Sequence, residues 1–185
     1  MSKILGISAL AIRKGNWNNG FDNMARKTSD GVVFATDKSR KYSIREAFKA
    51  SQVQGQKVLI TTMKEGRKVL TLEKILEKHE LLSSKAKGKE AKAELNTDAL
   101  MRNFIDVRLF GAVLAVSSVN IGLTGPLSMN FGTNVYVEDG NITNNDVTYQ
   151  ISSFAASSDS KDTTTLGSQN MIEKAVLSFP FTFNP

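Results

Sequence analysis

Apolar residues along the chain come in short runs, separated by polar segments that contain glycine or asparagine. Runs of this length that are rich in Ile, Val and Phe are typical of β-strands, and Asp37 is a suitable N-cap for a helix that follows it. We predict strands over residues 4–13, 31–36, 58–62 and 174–183. We predict helices over residues 38–49, 72–82, 99–104 and 107–116.

Residues 118–167 differ from the rest, because they are poor in charge and rich in Asn, Ser, Thr and Gly. Short alternating runs at 135–137 and 147–151 predict an extended β-excursion with long polar loops, too poor in apolar residues to form a core alone. The order of elements is strand, helix, strand, helices, β-excursion and strand. This order predicts an α+β fold with a mostly antiparallel sheet in one domain.

The charge balance is basic, with 24 Lys and Arg against 18 Asp and Glu and a formal charge of +6. A positive charge favours a polyanionic partner such as nucleic acid. The absence of cysteine excludes disulfides, a thiolate nucleophile and cysteine-ligated zinc. No apolar run reaches the ~18 residues of a membrane span, and the N-terminus does not resemble a signal peptide. We therefore expect a cytoplasmic protein with no membrane partner.

The sequence gives little support to catalysis. His79 is the single histidine, and it lies in a Lys/Glu-rich segment where we expect it to face solvent. Asp22, Asp30 and Asp37 are scattered acids, and there is no metal-ligand spacing, G-x-S-x-G motif or Walker loop. We predict no catalytic residue, no metal and no cofactor.

Several collinear motifs resemble those of one known family. Residues 106–113 read DVRLFGAV, residues 124–128 read TGPLS, residues 36–45 fit T-D-x-x-x-K-x-x-I-R, and Asn19-Gly20 forms a turn after the first strand. Together they resemble the backbone subunit of type I CRISPR surveillance (Cascade) complexes, a branch of the RAMP superfamily, and the type I-B subunit in particular. The resemblance covers residues 4 to about 183. The family usually continues further, so we expect an unusually short member, a fragment or a split product.

The resemblance implies an RRM-like (ferredoxin-like) palm with an antiparallel sheet, a helical finger insertion and a β-hairpin thumb. On this chain the single domain covers residues 1–185, the finger residues 59–96 and the thumb residues 118–167. It also implies a non-catalytic subunit whose copies polymerise along the CRISPR guide RNA beside other Cascade subunits. Target DNA would then be selected through the guide by base pairing.

The first helix carries the most regular group of candidate RNA contacts. Lys38, Lys41 and Arg45 share one helix face, which could follow a phosphate backbone, and Arg40 lies on a neighbouring turn. The alternative interpretation is an ordinary solvated helix surface. Ser39 and Tyr42 stand at positions that are often basic in the family.

Further candidates lie in loops. The side-chain amides of Asn16 and Asn19 could contact phosphate or ribose, and Trp17 could stack on a base. Arg26 is compatible with the same groove. Alternatively, Trp17 packs in the core. Arg108 could contact phosphate or pair with Asp106 or Asp37. The remaining candidates are polar residues of the predicted thumb, whose composition would also suit a plain hairpin: Asn130, Thr133, Asn134 and Lys161.

Two other functions stay open. One is an enzyme, either a ferredoxin-like endoribonuclease that trims CRISPR repeats or a metal-dependent RNase of the same superfamily. The other is a filament-forming structural protein without nucleic acid, which the Asn/Ser/Thr-rich excursion would suit.

Overall fold

The computed structural model describes residues 2–51, 56–66, 68–84, 93–116, 119–152 and 166–185. The helices are α1 (Asp37–Ser51), α2 (Leu72–Lys78), α3 (Thr97–Asn103) and α4 (Ile105–Phe110). The strands are β1 (Ile4–Gly15), β2 (Phe34–Ala35), β3 (Lys64–Glu65), β4 (Lys68–Val69), β5 (Leu82–Ser84), β6 (Ala93–Leu95), β7 (Gly111–Val116), β8 (Val119–Thr124), β9 (Leu127–Met129), β10 (Gly132–Asn134), β11 (Val137–Glu138), β12 (Asn141–Ile142), β13 (Asp146–Ser152) and β14 (Leu166–Phe183). No helix in these ranges is long and apolar enough to cross a membrane.

The chain forms two compact units. The sheet unit comprises Leu5–Arg40 and Met129–Phe181, and the helical unit comprises Met1–Ile4, Lys41–Ser128 and Thr182–Pro185. These boundaries differ from the finger and thumb boundaries that the resemblance implies, which stay predictions.

The sheet unit is built on strands in the order β1-β14-β10-β2, and β13 and β9 also pair with β14. β10 is antiparallel to both β14 and β2, so that Thr133 lies opposite Ser178 on one side and Phe34 on the other. The prediction of an α+β fold with an antiparallel sheet is confirmed by these pairings. The RRM-like classification is compatible with them and stays a prediction at that finer level.

The two faces of this sheet differ in burial. On one face the rings of Phe179 and Phe181 lie where a Cβ on Gly132 or Gly6 would be, so those two glycines let the rings pack flat on the backbone. Because side chains alternate along a strand, the opposite face carries Leu5, Ile7 and Ala9 of β1 together with the paired residues Phe34, Thr133 and Ser178. We call this second side the open face.

The helical unit has its own apolar core. Its central residues come from the segment before β3, from α2–α4 and from the β7–β8 hairpin: Leu59, Ile75, Leu76, Leu81, Leu95, Leu100, Phe104, Val107, Leu114, Val116 and Val119. The hairpin pairs Gly111 with Thr124 through to Val116 with Val119, and one of its faces closes this core.

Most predicted elements are present; one predicted strand is absent, and two predicted helices end early. Residues 58–62 form no strand, because the amide groups of Leu59 and Ile60 are bound by a side chain instead of a neighbouring strand. The helix predicted over 107–116 ends at Phe110, since Gly111 has a φ of 74° and begins a strand. The helix predicted over 72–82 ends at Lys78, followed by Glu80 with a φ of 56°.

Candidate nucleic-acid interface

A pair of stacked aromatic rings, one exposed and one half-buried, marks the open face of the sheet unit. Phe34 on β2 and Phe131, just before β10, stack with ring centroids 5.9 Å apart and an interplanar angle of 21°. Phe131 is 56% exposed, and with the exposed Asn130 and Thr133 it lines a shallow hollow that also includes Asp37. An accessible ring beside neutral hydrogen-bonding side chains is the usual surface on which single-stranded RNA bases stack.

The sequence predicted Asn130 and Thr133 but missed both rings and a cation on the same face. Arg13 is exposed on β1 and has the same strand parity as Leu5 and Ile7, which places it on the open face. The alternation of β1 could have identified Arg13. The pairing of Phe34 with Phe131 could not be identified, because it depends on the register of β2 against β10.

The loop after β1 is held by a residue that the sequence did not single out. The side-chain oxygen of Asn18 accepts hydrogen bonds from the amide of Thr36 (2.8 Å) and its hydroxyl (3.0 Å), and its carbonyl accepts one from Nε of Arg26 (3.0 Å). Trp17 is half-buried, and its indole nitrogen is buried. Arg26 thus has a structural role in this loop, while Asn16 is exposed.

Asn19 fixes the next turn of the same loop. Its side-chain amide donates to the carbonyl of Asn23 at 2.8 Å, and the residue is half-buried. The RNA contacts predicted for the Asn16–Asn19 segment stay predictions.

The basic face predicted on α1 divides into two parts. Lys38 is exposed, and Arg40 reaches the buried face of the sheet, where its Nε donates to the hydroxyl of Ser8 at 3.0 Å. In the next turns the cations of Lys41 and Arg45 lie over the ring of Phe110, 5.6 and 5.3 Å from its centroid. Cation–π contacts of this kind stabilise the packing of α1 against α4.

Arg45 also forms an ion pair with a fully buried carboxylate. Its Nε lies 3.1 Å from Oδ2 of Asp106, which is 0% exposed. The two oxygens of Asp106 also accept hydrogen bonds from the amides of Leu59 and Ile60, each at 2.9 Å. Asp106 therefore joins α1, α4 and the segment before β3, and Arg45 is a structural residue whose predicted RNA contact stays a prediction.

Of the partners predicted for Arg108, Asp106 is wrong, and the predicted phosphate contact stays a prediction. Its guanidinium is exposed and donates to the side chain of Gln56 (2.8 Å) and the carbonyl of Arg102 (3.3 Å), while Arg45 takes the Asp106 carboxylate. Asp106 and Arg108 are two residues apart in α4 and so lie on opposite sides of the helix, where Asp106 faces the core and Arg108 faces solvent.

The RNA contact predicted for Asn134 is wrong, because this side chain is buried and fully hydrogen-bonded. It is 2% exposed, and its amide donates to the carbonyl of Thr143 (2.7 Å) and the side chain of Asn144 (3.1 Å). Its oxygen accepts from the amides of Tyr136 (3.0 Å) and Val176 (2.9 Å). Both donors and both acceptor positions are used, so this side chain has no group left for RNA. Lys161 lies outside the described residues.

The glycines of the two family-like motifs contact one another directly. A Cβ on Gly111 would overlap the carbonyl oxygen of Leu123 and the amide nitrogen of Gly125, and a Cβ on Gly125 would overlap the backbone of Leu109 and Gly111. Residues 106–113 and 124–128 are therefore packed backbone to backbone. Their spacing is a requirement of the fold of the helical unit.

Few ionisable groups are perturbed. The pKa of His79 is lowered because burial disfavours its charged form and because Lys57 and Lys78 are nearby; its ring packs edge-on against Phe104. The pKa of Lys174 is raised by its hydrogen bond to Glu138. In the described ranges no group of three or more His, Cys, Asp or Glu side chains is placed to hold a metal ion.

Comparison with known families now assigns the chain. Residues 3–185 match the model of the family described as CRISPR-associated protein Cas7. The chain belongs to this family, whose members are backbone subunits of type I CRISPR effector complexes and are generally structural rather than catalytic. A search of curated proteins finds no significant match to the chain.

Proposed function

We propose that this chain is a non-catalytic backbone subunit that binds the guide RNA of a type I complex through the open face of its sheet unit. Copies of it line up along the guide, and the complex recognises its DNA target by base pairing. The type I-B assignment rests on the motif resemblance. The observation that carries the proposal is the exposed Phe34–Phe131 stack beside Asn130 and Thr133.

The chemistry of this surface suits a guide in particular. A guide must keep its Watson–Crick edges free for the target, so its carrier should grip base faces, riboses and phosphates. The ring of Phe131 offers a π-face to any base, and the side chains of Asn130 and Thr133 offer neutral donors and acceptors for ribose. Such contacts tolerate any sequence, as a subunit that carries many different spacers requires.

Cations near this surface would supply the electrostatic attraction. Arg13 is exposed on the same face, and Lys38 is exposed in the first turn of α1, next to Asp37 of the hollow. Each phosphate that these residues neutralise releases counterions, so binding should weaken steeply as salt rises.

The test is the affinity of the purified chain for a guide-length single-stranded RNA, measured by fluorescence anisotropy across a salt series. Replacing Phe131 by Ala removes the exposed ring, and loss of one base stack of about 1–3 kcal/mol should weaken binding on the order of ten- to a hundredfold. Phe131→Trp should retain affinity because it keeps a ring. Val137→Ala is the matched control, since Val137 is 54% exposed but is not part of the hollow.

Two results would reject the proposal. One is an unchanged affinity of the Phe131→Ala protein for RNA, and the other is wild-type binding no tighter than to duplex DNA. Incubation with target RNA and Mg²⁺ in the same buffers tests the RNase alternative, which predicts cleavage products. Native mass spectrometry of the RNA-bound sample tests whether several copies assemble on one guide.

A further inference from the structure

A second exposed feature of the sheet unit is an aromatic side chain that touches nothing. Phe21 is 106% exposed and lies in the turn formed by residues 19–24, the Phe21 turn. Single exposed apolar residues are common on protein surfaces and need no explanation. The unusual property here is that a firmly built turn holds the ring away from the protein.

Four hydrogen bonds fix this turn. The amide of Gly20 donates to the carbonyl of Met24 at 2.9 Å, and the amide of Asn23 donates to the carbonyl of Gly20 at 3.2 Å. The side chain of Asn19 donates to the carbonyl of Asn23 (2.8 Å), and the carboxylate of Asp22 accepts from the amide of Met24 (3.0 Å). A turn whose backbone is fixed before binding loses little backbone entropy when a partner covers its ring.

The sheet unit also has an apolar surface that nothing in the unit covers. On the open face of β1, Leu5 is 72% exposed and Ile7 is 68% exposed, and Ala9 and Ala11 follow at the same parity. β1 lies at one end of the strand order, and residues 4–12 contain no charge. Edge strands normally carry charges that prevent association, and the two charges of β1, Arg13 and Lys14, lie at its end, beyond this apolar stretch. The uncharged part of the strand therefore indicates a surface that is covered in the assembly.

Charge decides between RNA and protein as the partner of these two features. The Phe21 turn contains one ionisable side chain, the acidic Asp22, and the β1 stripe (Leu5, Ile7, Ala9 and Ala11) contains none. Neither offers a cation to phosphate. The stripe lies on the strand at the opposite end of the order from β2, which carries Phe34. Arg13, which belongs to the RNA surface proposed above, follows Ala11 on the same strand and is not part of the stripe.

We propose that the Phe21 turn of one copy packs on the β1 stripe of the next copy. The two surfaces are different parts of the same chain, so the contact is heterologous and repeats head to tail without pairing off into closed dimers. This inference deepens the proposed function, on whose head-to-tail assembly it rests, by naming the surfaces that join neighbouring copies.

Cross-linking tests the contact directly because the chain has no cysteine of its own. Met24→Cys marks the turn and Ala9→Cys marks the stripe, and both substitutions leave Phe21, Leu5 and Ile7 in place. A protein carrying both cysteines should give a ladder of oligomers with a short bismaleimide reagent, with and without RNA. Proteins carrying one cysteine each should give a single heterodimer when mixed and no ladder.

Phe21→Ser in the double-cysteine protein should lower the yield of ladder at least tenfold, and Ile7→Ser should do the same from the other side. Val137→Ser, at another exposed apolar site, should leave the ladder intact. Circular dichroism confirms folding of each variant. An unchanged ladder in the Phe21→Ser protein overturns the inference, and so does cross-linking of Met24→Cys to itself, which would indicate a two-fold contact.

Failure of this inference can be distinguished from failure of the proposed function. On an RNA too short for two copies, Phe21→Ser should bind within twofold of the wild type, since the turn contacts protein. A large loss of affinity there would assign the ring to RNA and overturn the inference while supporting the function. A wild-type chain that gives the ladder but binds no RNA would support the contact between copies and reject the proposed function.

Discussion

Replacing Asp106 by Asn should destabilise the chain more than any other change of a single functional group considered above. The substitution keeps the shape of a side chain that is 0% exposed, but it removes the charge that faces Arg45 and turns one acceptor oxygen into a donor. One amide orientation leaves the amide of Leu59 without an acceptor. The other removes the acceptor of both Ile60 and Arg45.

The magnitude follows from the better of these two orientations. An unpaired buried N–H costs about 1–3 kcal/mol, and weakening a charged hydrogen bond to a neutral one costs about 1 kcal/mol more. Loss of one member of a buried ion pair typically costs about 3–5 kcal/mol, which agrees with that sum. We therefore expect Asp106→Asn to lower the free energy of unfolding by about 3–4 kcal/mol, a large part of the ~5–15 kcal/mol of a typical domain.

Urea unfolding followed by circular dichroism measures this change. Asp98→Asn is the matched control, because Asp98 is exposed in the first turn of α3, and it should change stability by less than about 0.5 kcal/mol. A double-mutant cycle with Arg45→Met should show that Asp106→Asn costs less when Arg45 is absent. A loss below about 1 kcal/mol, or strictly additive effects, would refute the assignment of Asp106 as the anchor of α1.

Three further predictions test other parts of the structure. Gly111→Ala should cost well over 1 kcal/mol because φ is 74° and the new Cβ overlaps backbone, whereas Gly122→Ala in the same hairpin, with nothing within 4 Å, should be nearly neutral by urea unfolding. Asn134→Ala should lower the free energy of unfolding by about 2–4 kcal/mol, because it leaves buried backbone groups without hydrogen-bond partners. Thr133→Ala should leave stability unchanged, and equal losses in the two variants would contradict the burial assigned to Asn134. NMR titration of His79, the single histidine, should give a pKa below 6.5. Because the fold favours the neutral imidazole, the contribution of His79 to stability is complete above pH 6.5 and is lost as the pH falls toward the folded pKa. A measured pKa above 6.5 would contradict this.

Local signals in the sequence predicted the elements that depend on local chemistry. The long apolar run near the C-terminus forms β14, and a helix is present where α1 was predicted. Asp37 is the first residue of α1 and not its N-cap, since the hydroxyl of Thr36 accepts from the amide of Ser39. The failures have long-range causes. Residues 58–62 have the composition of a strand, but Asp106, more than 40 residues away in sequence, takes the amides that a strand would have used.

The same limit applies to the candidate site. The sequence offered Asp106 as one of two acidic partners for Arg108, but the ion pair of Asp106 is with Arg45, on another helix. Asn130 and Asn134 have the same chemistry and differ only in strand position, which exposes the first and buries the second. No pattern in a single sequence distinguishes Arg45 from Arg108 or Asn130 from Asn134, since their environments depend on helix packing and strand register.

The residues discussed here that carry the family resemblance have structural roles, although a family motif in an RNA-binding subunit suggests a direct role in RNA binding. Asp106 anchors backbone amides, Phe110 supports two cations of α1, and Gly111 and Gly125 let two chain segments touch. These contacts determine the fold of the helical unit. The stacking surface on Phe131 lies outside both motifs. It follows that Asp106→Asn should reduce RNA binding only in proportion to the fraction unfolded, whereas Phe131→Ala should reduce it in a fully folded protein. A folded Asp106→Asn protein that had lost RNA binding would show instead that the motif contacts the guide.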